Sequence, residues 1–174
     1  TFTATETGEH KYEFKAESYA ALESNVTAFT VKIDRQVPVI RVSFEGTFGR
    51  WTGEGVTFNF STEEASLSGI NYYYDNGNGW TLIDSGASIE ITDTTNAVYR
   101  FKAVNNAGTE SYPSDSYHVM IDAKVPEITL TPEVTDVTPN PYKINISTEV
   151  GESGLREVTC NGQDITNEDS YTVS

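Results

Sequence analysis

Two groups of side chains in this sequence are of types and spacings that can do chemistry. Asp34 and Asp122 each follow a β-branched segment and stand shortly before a Val-Pro dipeptide, which puts one carboxylate at each of two candidate linkers. Carboxylate oxygens at such points could bind calcium. Tyr72, Tyr74 and Trp80 lie on the two sides of a glycine-rich turn. Exposed aromatic rings of this kind could stack against a sugar.

The calcium interpretation competes with a simpler one. Calcium takes about six to eight oxygen ligands, several of them carboxylates. Each candidate linker has a single Asp and no second acidic cluster beside it. We therefore expect Asp34 and Asp122 to end a strand and to solvate the linker, so the sequence predicts no cofactor. Calcium at these two residues remains the alternative.

The aromatic group depends on which face of its strand each ring occupies. Aligning the two halves of the sequence places Tyr73 with Val158 and Tyr72 with Glu157. Because glutamate is rarely buried without a partner, Tyr72 and Tyr74 are predicted to face solvent and Tyr73 the core. The exposed pair, with Trp80, is then either a ligand surface or ordinary cross-strand packing.

The sequence offers no recognisable catalytic arrangement. Its two histidines, His10 and His118, do not occupy matching positions, and no local signature suggests a Ser-His-Asp or Cys-His set. The glycines at 77 and 79 are typical of a hairpin and not of a phosphate-binding loop. We expect a protein that is not an enzyme.

The elements that position these residues recur along the chain. Residues 12–16 read YEFKA and residues 99–103 read YRFKA, 87 positions later. Residues 31–40 read VKIDRQVPVI and residues 119–128 read VMIDAKVPEI, 88 positions later. A period of about 87 residues is the size of one small sandwich domain and is too long for a solenoid unit.

Alternating segments predict strands at 39–44, 56–61, 70–74, 80–83, 88–91, 98–104 and 117–121, all within one repeat. Pro38 and Pro126 start new strands after the two linkers, where proline stiffens the chain and removes a ladder donor. In this frame, residues 1–36 are the last strands of one domain, 37–122 a complete domain and 123–174 the first strands of a third. The predicted fold class is all-β, with tandem Greek-key β-sandwich repeats.

The segment from Tyr99 to Gly108, YRFKAVNNAG, resembles the YxCxAxNxxG signature of immunoglobulin-like domains, with Phe101 in place of the cysteine. The repeat as a whole is similar to the bacterial immunoglobulin-like or fibronectin-III-like repeats of extracellular surface proteins. This resemblance implies that Tyr99 forms a tyrosine corner and that Phe101 points inward. Tyr12 and Phe14 are the corresponding residues of the first partial copy. The resemblance is specific for the fold and carries little about function.

The charge of the chain limits its partners. With 26 acidic and 11 basic residues, the formal net charge is −15. Such a surface repels phosphate backbones, so we expect no nucleic-acid partner, and no apolar stretch is long enough to predict membrane insertion. One cysteine, Cys160, excludes a disulfide within the chain.

The sequence is compatible with two functions. The resemblance implies a structural or adhesive stalk or spacer module that is extracellular and associated with a bacterial cell surface or cell wall. The alternative is an accessory carbohydrate-binding or spacer module of a secreted glycoside hydrolase. A host or cell-wall glycan or protein is the expected type of partner. The two partial copies also predict strand-swapped self-association between chains.

Overall fold

The abundance of tyrosine, threonine, valine, isoleucine and phenylalanine favours strands over helices. A computed structural model describes residues 3–63, 65–135 and 141–173, and every regular element in these ranges is a β-strand. The part of the chain so described contains no helix long and apolar enough to cross a membrane. The predicted all-β class is confirmed, with several sheets arranged as in a β-sandwich.

The strands in chain order are β1 (Gly8–Phe14), β2 (Thr27–Ile33), β3 (Ile40–Glu45), β4 (Trp51–Thr52), β5 (Val56–Thr62), β6 (Ile70–Asp75), β7 (Thr81–Leu82), β8 (Ser88–Ile91), β9 (Thr95–Asn105), β10 (Tyr117–Ile121), β11 (Glu127–Pro132), β12 (Tyr142–Glu149), β13 (Thr159–Cys160), β14 (Gln163–Asp164) and β15 (Ser170–Val173). The chain forms two units. Unit 1 comprises Thr1–Glu45, Thr57–Glu90 and Val98–Tyr117, and unit 2 comprises Gly46–Val56, Ile91–Ala97 and His118–Ser174. The domain boundaries predicted after residues 36 and 122 come from the sequence repeat, whereas the two units are defined by spatial proximity. Those boundaries therefore stay a prediction.

Two layers of strands face each other in unit 1. One layer has the order β3-β5-β8, and in the other β6 lies between β9 and β7. Their inner rows are aromatic, with the ring of Phe58 on β5 4.7 Å from that of Phe101 on β9. Phe60 on β5 stacks 5.4 Å from Tyr72 on β6. Deleting the buried Phe58 or Phe101 ring would cost about 3–5 kcal/mol, so this aromatic layer is the main cohesive element of the unit.

Unit 1 also contains the antiparallel pair β1–β2, in which Tyr12 is opposite Phe29 and His10 is opposite Val31. Alternation puts these four residues on one face of the pair. The opposite face is charged, and there Lys11 pairs with Glu13 at 2.8 Å and Lys32 with Glu9 at 3.1 Å. The pair is therefore amphipathic.

Unit 2 has its own strand pairs. β10 runs parallel to the short β4, with Met120 opposite Trp51. The three strands β11, β12 and β15 form a sheet in that order, and β13 pairs with β14. Leu130 on β11 is opposite Ile146 on β12, which sets the apolar row of this sheet.

Candidate functional site

The carboxylate of Asp34 is the centre of a hydrogen-bond cluster that we call the first joint, comprising the linker at 34–38 and the residues bonded to it. Asp34 lies directly after β2 and is buried. Its Oδ2 accepts hydrogen bonds from the amide of Ser68 at 3.0 Å, from the Ser68 hydroxyl at 2.7 Å and from the Ser66 hydroxyl. Its Oδ1 accepts from the amide of Gln36 at 3.2 Å. Both oxygens are thus occupied by donors.

These donors determine the charge state of Asp34. The hydroxyls of Ser66 and Ser68, followed by the backbone amides, lower the pKa of its carboxyl from 3.8 to about 2. Hydrogen bonds to the ionised form stabilise that form, which outweighs the cost of partial burial. Asp34 therefore holds the serine loop between β5 and β6 as a carboxylate over the whole neutral and mildly acidic range.

The linker of the first joint is also held by two other elements. The Arg35 amide donates to the hydroxyl of Thr7, which precedes β1, at 3.2 Å. The side-chain amide of Asn105, at the end of β9, donates to the carbonyl of Gln36 at 3.1 Å. Hydrogen bonds therefore tie the linker both to the strands before it and to those after it.

The turn after β9 reinforces the serine loop of the first joint. The Asn106 side-chain amide donates to the carbonyl of Ser68 at 2.5 Å, and its oxygen accepts from the Asn71 side chain at 2.7 Å. Gly69 has a φ of +90°, a conformation that side-chain-bearing residues rarely adopt. Glycine there lets the loop turn sharply enough for both serines to reach Asp34.

Asp122 forms a second joint with the same pattern, comprising the linker at 122–126 and its partners. Asp122 Oδ2 accepts from the amide of Ser153 at 2.8 Å and from its hydroxyl at 2.6 Å. Oδ1 accepts from the amide of Lys124 at 3.1 Å, two residues along, as in the first joint. The Ser153 hydroxyl and amide lower the pKa of Asp122 below its ordinary value. The amide of Ala123 donates to the hydroxyl of Thr94 at 3.1 Å, which matches the Arg35–Thr7 bond of the first joint.

One difference between the joints lies two residues before the serine that binds the Asp. Ser66 of the first joint is two residues before Ser68, and the residue two before Ser153 is Gly151. A Cβ added at Gly151 would overlap the carboxylate of Asp122. The first joint therefore uses a hydroxyl donor at this position, whereas the second needs a residue with no side chain.

The hydrogen bonds to Asp34 and Asp122 disfavour calcium binding at these two residues. Asp34 and Asp122 each accept hydrogen bonds on both oxygens, and a cation would have to displace those donors. Within residues 3–63, 65–135 and 141–173, no group of three or more histidine, cysteine, aspartate or glutamate side chains is arranged to hold a metal ion. What the geometry supports for Asp34 and Asp122 is anchoring by hydrogen bonds.

The orientation predicted for the aromatic residues on β6 is wrong. Tyr72 is buried and stacks on Phe60, while Tyr74 is half-buried with its ring 6.0 Å from that of Tyr99. The error comes from the alignment with Val158. The amide of Ile83 donates to the carbonyl of Tyr72, and the amide of Ile165 donates in the same way to that of Val158. Tyr72, and not Tyr73, therefore corresponds to Val158, and a one-residue slip reverses every side chain on a strand.

The outer face of this layer carries a different aromatic group. The ammonium of Lys102 on β9 lies 4.9 Å from the ring centroid of Trp80 and 5.7 Å from that of Tyr73. The same ammonium pairs with Glu110 at 2.8 Å. Trp80 is 37% exposed and is the most exposed of the predicted ligand residues Tyr72, Tyr74 and Trp80.

The predicted structural residues occupy distinct environments. Tyr99 and Phe101 are buried, and the inward direction predicted for Phe101 is confirmed. The hydroxyl bond of a tyrosine corner at Tyr99 stays a prediction. Tyr12 is half-buried and Phe14 is exposed, while Pro38 is buried and Pro126 is exposed. A comparison of this chain with protein-family models, curated proteins and solved structures finds no match.

Proposed function

We propose that this chain is a non-catalytic spacer or stalk module, built from tandem immunoglobulin-like repeats of about 87 residues, of a secreted or cell-surface bacterial protein. The observation that carries the proposal is the recurrence of one clamp at both linkers. In each, a threonine hydroxyl accepts from the residue after the Asp, the Asp accepts from the amide two residues on, and a serine gives the Asp both its amide and its hydroxyl.

A clamp of this kind suits a spacer. A spacer holds the domains on its two sides at a fixed separation. This requires linkers whose backbone is hydrogen-bonded to the elements before and after them. A flexible tether would instead carry a glycine- and serine-rich linker with free backbone groups. The linkers here contain a proline, at Pro38 and Pro126, and a carboxylate anchor.

Bonds outside the joints support the repeat in this proposal. The Ala16 amide donates to the Ser24 hydroxyl, and the Ser24 amide donates to the Ala16 carbonyl. Ala103 and Ser111 exchange the same two bonds 87 residues later. The sheet orders β3-β5-β8 and β11-β12-β15 match as well. The Ala–Ser bonds recur at the 87-residue offset of the sequence repeat.

The direction of the carboxyl pKa shifts favours a role without catalysis. Every described carboxyl with a resolved pKa shift, Asp34, Asp75, Asp122, Glu149 and Asp164, is shifted downward by hydrogen bonds or ion pairs. A general acid or base needs a pKa near the working pH, which for a carboxyl means an upward shift. These groups remain ionised acceptors and stabilise turns and joints. The net charge of −15 suits a solvated surface exposed to the medium.

Backbone relaxation of the ¹⁵N-labelled protein tests the spacer function. We expect the amides of residues 35–37 and 123–125 to have order parameters near 0.85, the value of rigid backbone. Asp34→Ala and Asp122→Ala should each lower the values at their own linker and leave the other unchanged. Wild-type linker values below about 0.6 would show a flexible tether and contradict the proposal.

The outer face of β6 and β9 favours one other function, an accessory carbohydrate-binding module of a secreted glycoside hydrolase. Trp80 is partly exposed beside Tyr73 and Lys102, and an exposed indole is a typical platform for a sugar ring. Calorimetric titration with soluble cell-wall and plant oligosaccharides would detect this. Binding that Trp80→Ala abolishes and Trp51→Phe leaves intact would favour the carbohydrate-binding module over a bare spacer.

A further inference from the structure

The apolar face of the β1–β2 pair exposes two large aromatic side chains to solvent. Phe14 is 52% exposed and Phe29 is 62% exposed, although both lie on the face opposite the charged one. The charged face has its ion pairs in place and is suited to water. Large rings exposed on one side of a strand pair mark an interaction surface.

The rest of unit 1 shows what a strand pair of this sequence packs against. Phe14 corresponds to Phe101, 87 residues later, and Phe29 to Tyr117, 88 residues later. Phe101 is fully buried, with its ring 4.7 Å from Phe58 on β5, and Tyr117 lies 6.0 Å from Phe44 on β3. Rings at these two positions therefore cover a sheet with the order β3-β5-β8.

Unit 2 contains a three-stranded sheet, β11-β12-β15, that matches β3-β5-β8 and has exposed residues in its apolar row. In β11-β12-β15, Ile128 is 54% and Leu130 is 55% exposed. Its register repeats that of the first sheet, since Val42 is opposite Phe60 as Leu130 is opposite Ile146. Ile40 is opposite Thr62 as Ile128 is opposite Thr148. The sheet has the same form as β3-β5-β8 without an equivalent burial of its inner row.

We infer that the apolar face of β1–β2 in one copy of this chain covers the β11-β12-β15 sheet of a second copy. The strand pair β1–β2 corresponds to β9–β10, and the sheet β11-β12-β15 corresponds to β3-β5-β8. Because β9–β10 covers β3-β5-β8, a second copy of this chain supplies the strand pair that fits β11-β12-β15. Each copy then has one surface of each kind, so the association is head to tail and gives either an open chain or a closed ring. The inference uses the repeat of the proposed function and not the spacer role.

The equivalences also fix a register between copies. In unit 1, Tyr74 on β6 is opposite Phe101 on β9. Phe14 corresponds to Phe101, and Cys160 corresponds to Tyr74 because Val158 corresponds to Tyr72. The inference therefore puts Phe14 of one copy directly opposite Cys160 of the other. Directly opposite antiparallel residues have Cα atoms about 4.5–5.5 Å apart, which is within reach of a disulfide.

A cysteine in place of Phe14 tests this register. Cys160 is the only natural cysteine, so Phe14→Cys gives a chain with two thiols. Oxidised glutathione should convert them to a disulfide between copies, with loss of two protons and transfer of two electrons to the glutathione. We expect dimers and higher bands on non-reducing gels, which reductant removes. Thr30→Cys, on the charged face of β2, is the matched control and should give few such bands.

Two results of the cross-linking experiment would overturn the inference. A disulfide formed within a single chain would show that the occupant is the same copy. Equal cross-linking of the Phe14→Cys and Thr30→Cys proteins would show random collision in place of a defined register.

Sedimentation velocity tests the association without cross-linking. The wild-type chain should sediment as species larger than a monomer at about 100 µM and dissociate on dilution. Phe29→Asp should reduce the association at least tenfold, and Thr30→Asp should leave it unchanged. Both side chains are exposed, so circular dichroism should show the fold intact in each variant. A wild-type monomer at this concentration would overturn the inference and leave the spacer proposal, which rests on linker rigidity, standing.

Discussion

The two joints share a bonding pattern and differ in how much surrounds it. Asp34 is buried and receives a hydroxyl from Ser66 in addition to the Ser68 bonds, while Asp122 is more exposed and receives Ser153 alone on Oδ2. Asn105 also ties the linker carbonyl at Gln36 in the first joint. The same motif is thus held by more hydrogen bonds in the first joint than in the second, and we expect the first joint to be the stiffer.

The largest effect should come from Asn105→Ala. Asn105 is 2% exposed, and its side chain donates to the Gln36 carbonyl and accepts from the Thr109 amide at 2.8 Å. Losing both bonds and leaving those groups unpaired should lower the free energy of unfolding by about 2 kcal/mol. Urea denaturation measures this loss. Trypsin cleavage after Lys124, in the second joint, should not change, and an accelerated cut there would show that the two joints do not act separately.

Removing the carboxylates compares the joints directly. Trypsin can cut after Arg35 in the first linker and after Lys124 in the second, and cutting requires the linker to open. Asp34→Ala should speed the cut at Arg35 by about tenfold, since charge-assisted bonds to two serines are lost. Asp122→Ala should speed the cut at Lys124 by a smaller factor. Asp34→Asn, which keeps an acceptor oxygen without the charge, should fall between Asp34→Ala and the wild type. Equal acceleration by the two alanine variants would remove the proposed difference.

Gly151→Ala should weaken the second joint alone. The added Cβ overlaps the Asp122 carboxylate, which must leave its hydrogen bonds to Ser153 to make room. We expect the cut after Lys124 to accelerate about threefold, less than with Asp122→Ala because the carboxylate can find a new position. Ser66→Ala in the first joint is the control, because it removes a donor without adding volume. An unchanged rate in Gly151→Ala would mean that the carboxylate moves without loss of the joint.

Sequence patterns were sufficient for the strands of the sandwich because alternation and turn residues are local. The predicted strands at 70–74 and 117–121 occur as Ile70–Asp75 and Tyr117–Ile121. The two-residue strand Trp51–Thr52 was not predicted, since two residues show no period. The faces of β6 were assigned wrongly because the repeat gains a residue between Ser153 and Val158, and alignment from sequence alone could not place that gain.

The site was predicted only in part. Asp34 and Asp122 were identified as linker residues from their place before Val-Pro, but their serine partners lie more than thirty positions away. No local rule connects a linker carboxylate to a loop at that distance. One signal was present in the repeat. Ser68-Gly69 recurs as Ser153-Gly154 after 85 residues, and Asp34 recurs as Asp122 after 88 residues. A serine that repeats together with a linker aspartate was the available clue to their contact.

Acid titration gives the smallest and sharpest contrast between the joints. The folded pKa of Asp34, about 2, is below its ordinary value of 3.8, so its stabilisation is complete above about pH 4 and is lost as the pH falls toward 2. The pKa of Asp122 is also lowered, by Ser153, so its contribution disappears over a range that likewise lies below 3.8. Because Ser66 is the largest cause of the shift at Asp34, the Ser68 amide should titrate at lower pH than the Ser153 amide in two-dimensional NMR spectra. Ser66→Ala should move the Ser68 midpoint upward and leave that of Ser153 in place. Coincident midpoints in the wild type, followed over the range where the strand amides keep their folded shifts, would mean that Ser66 adds nothing to the first joint.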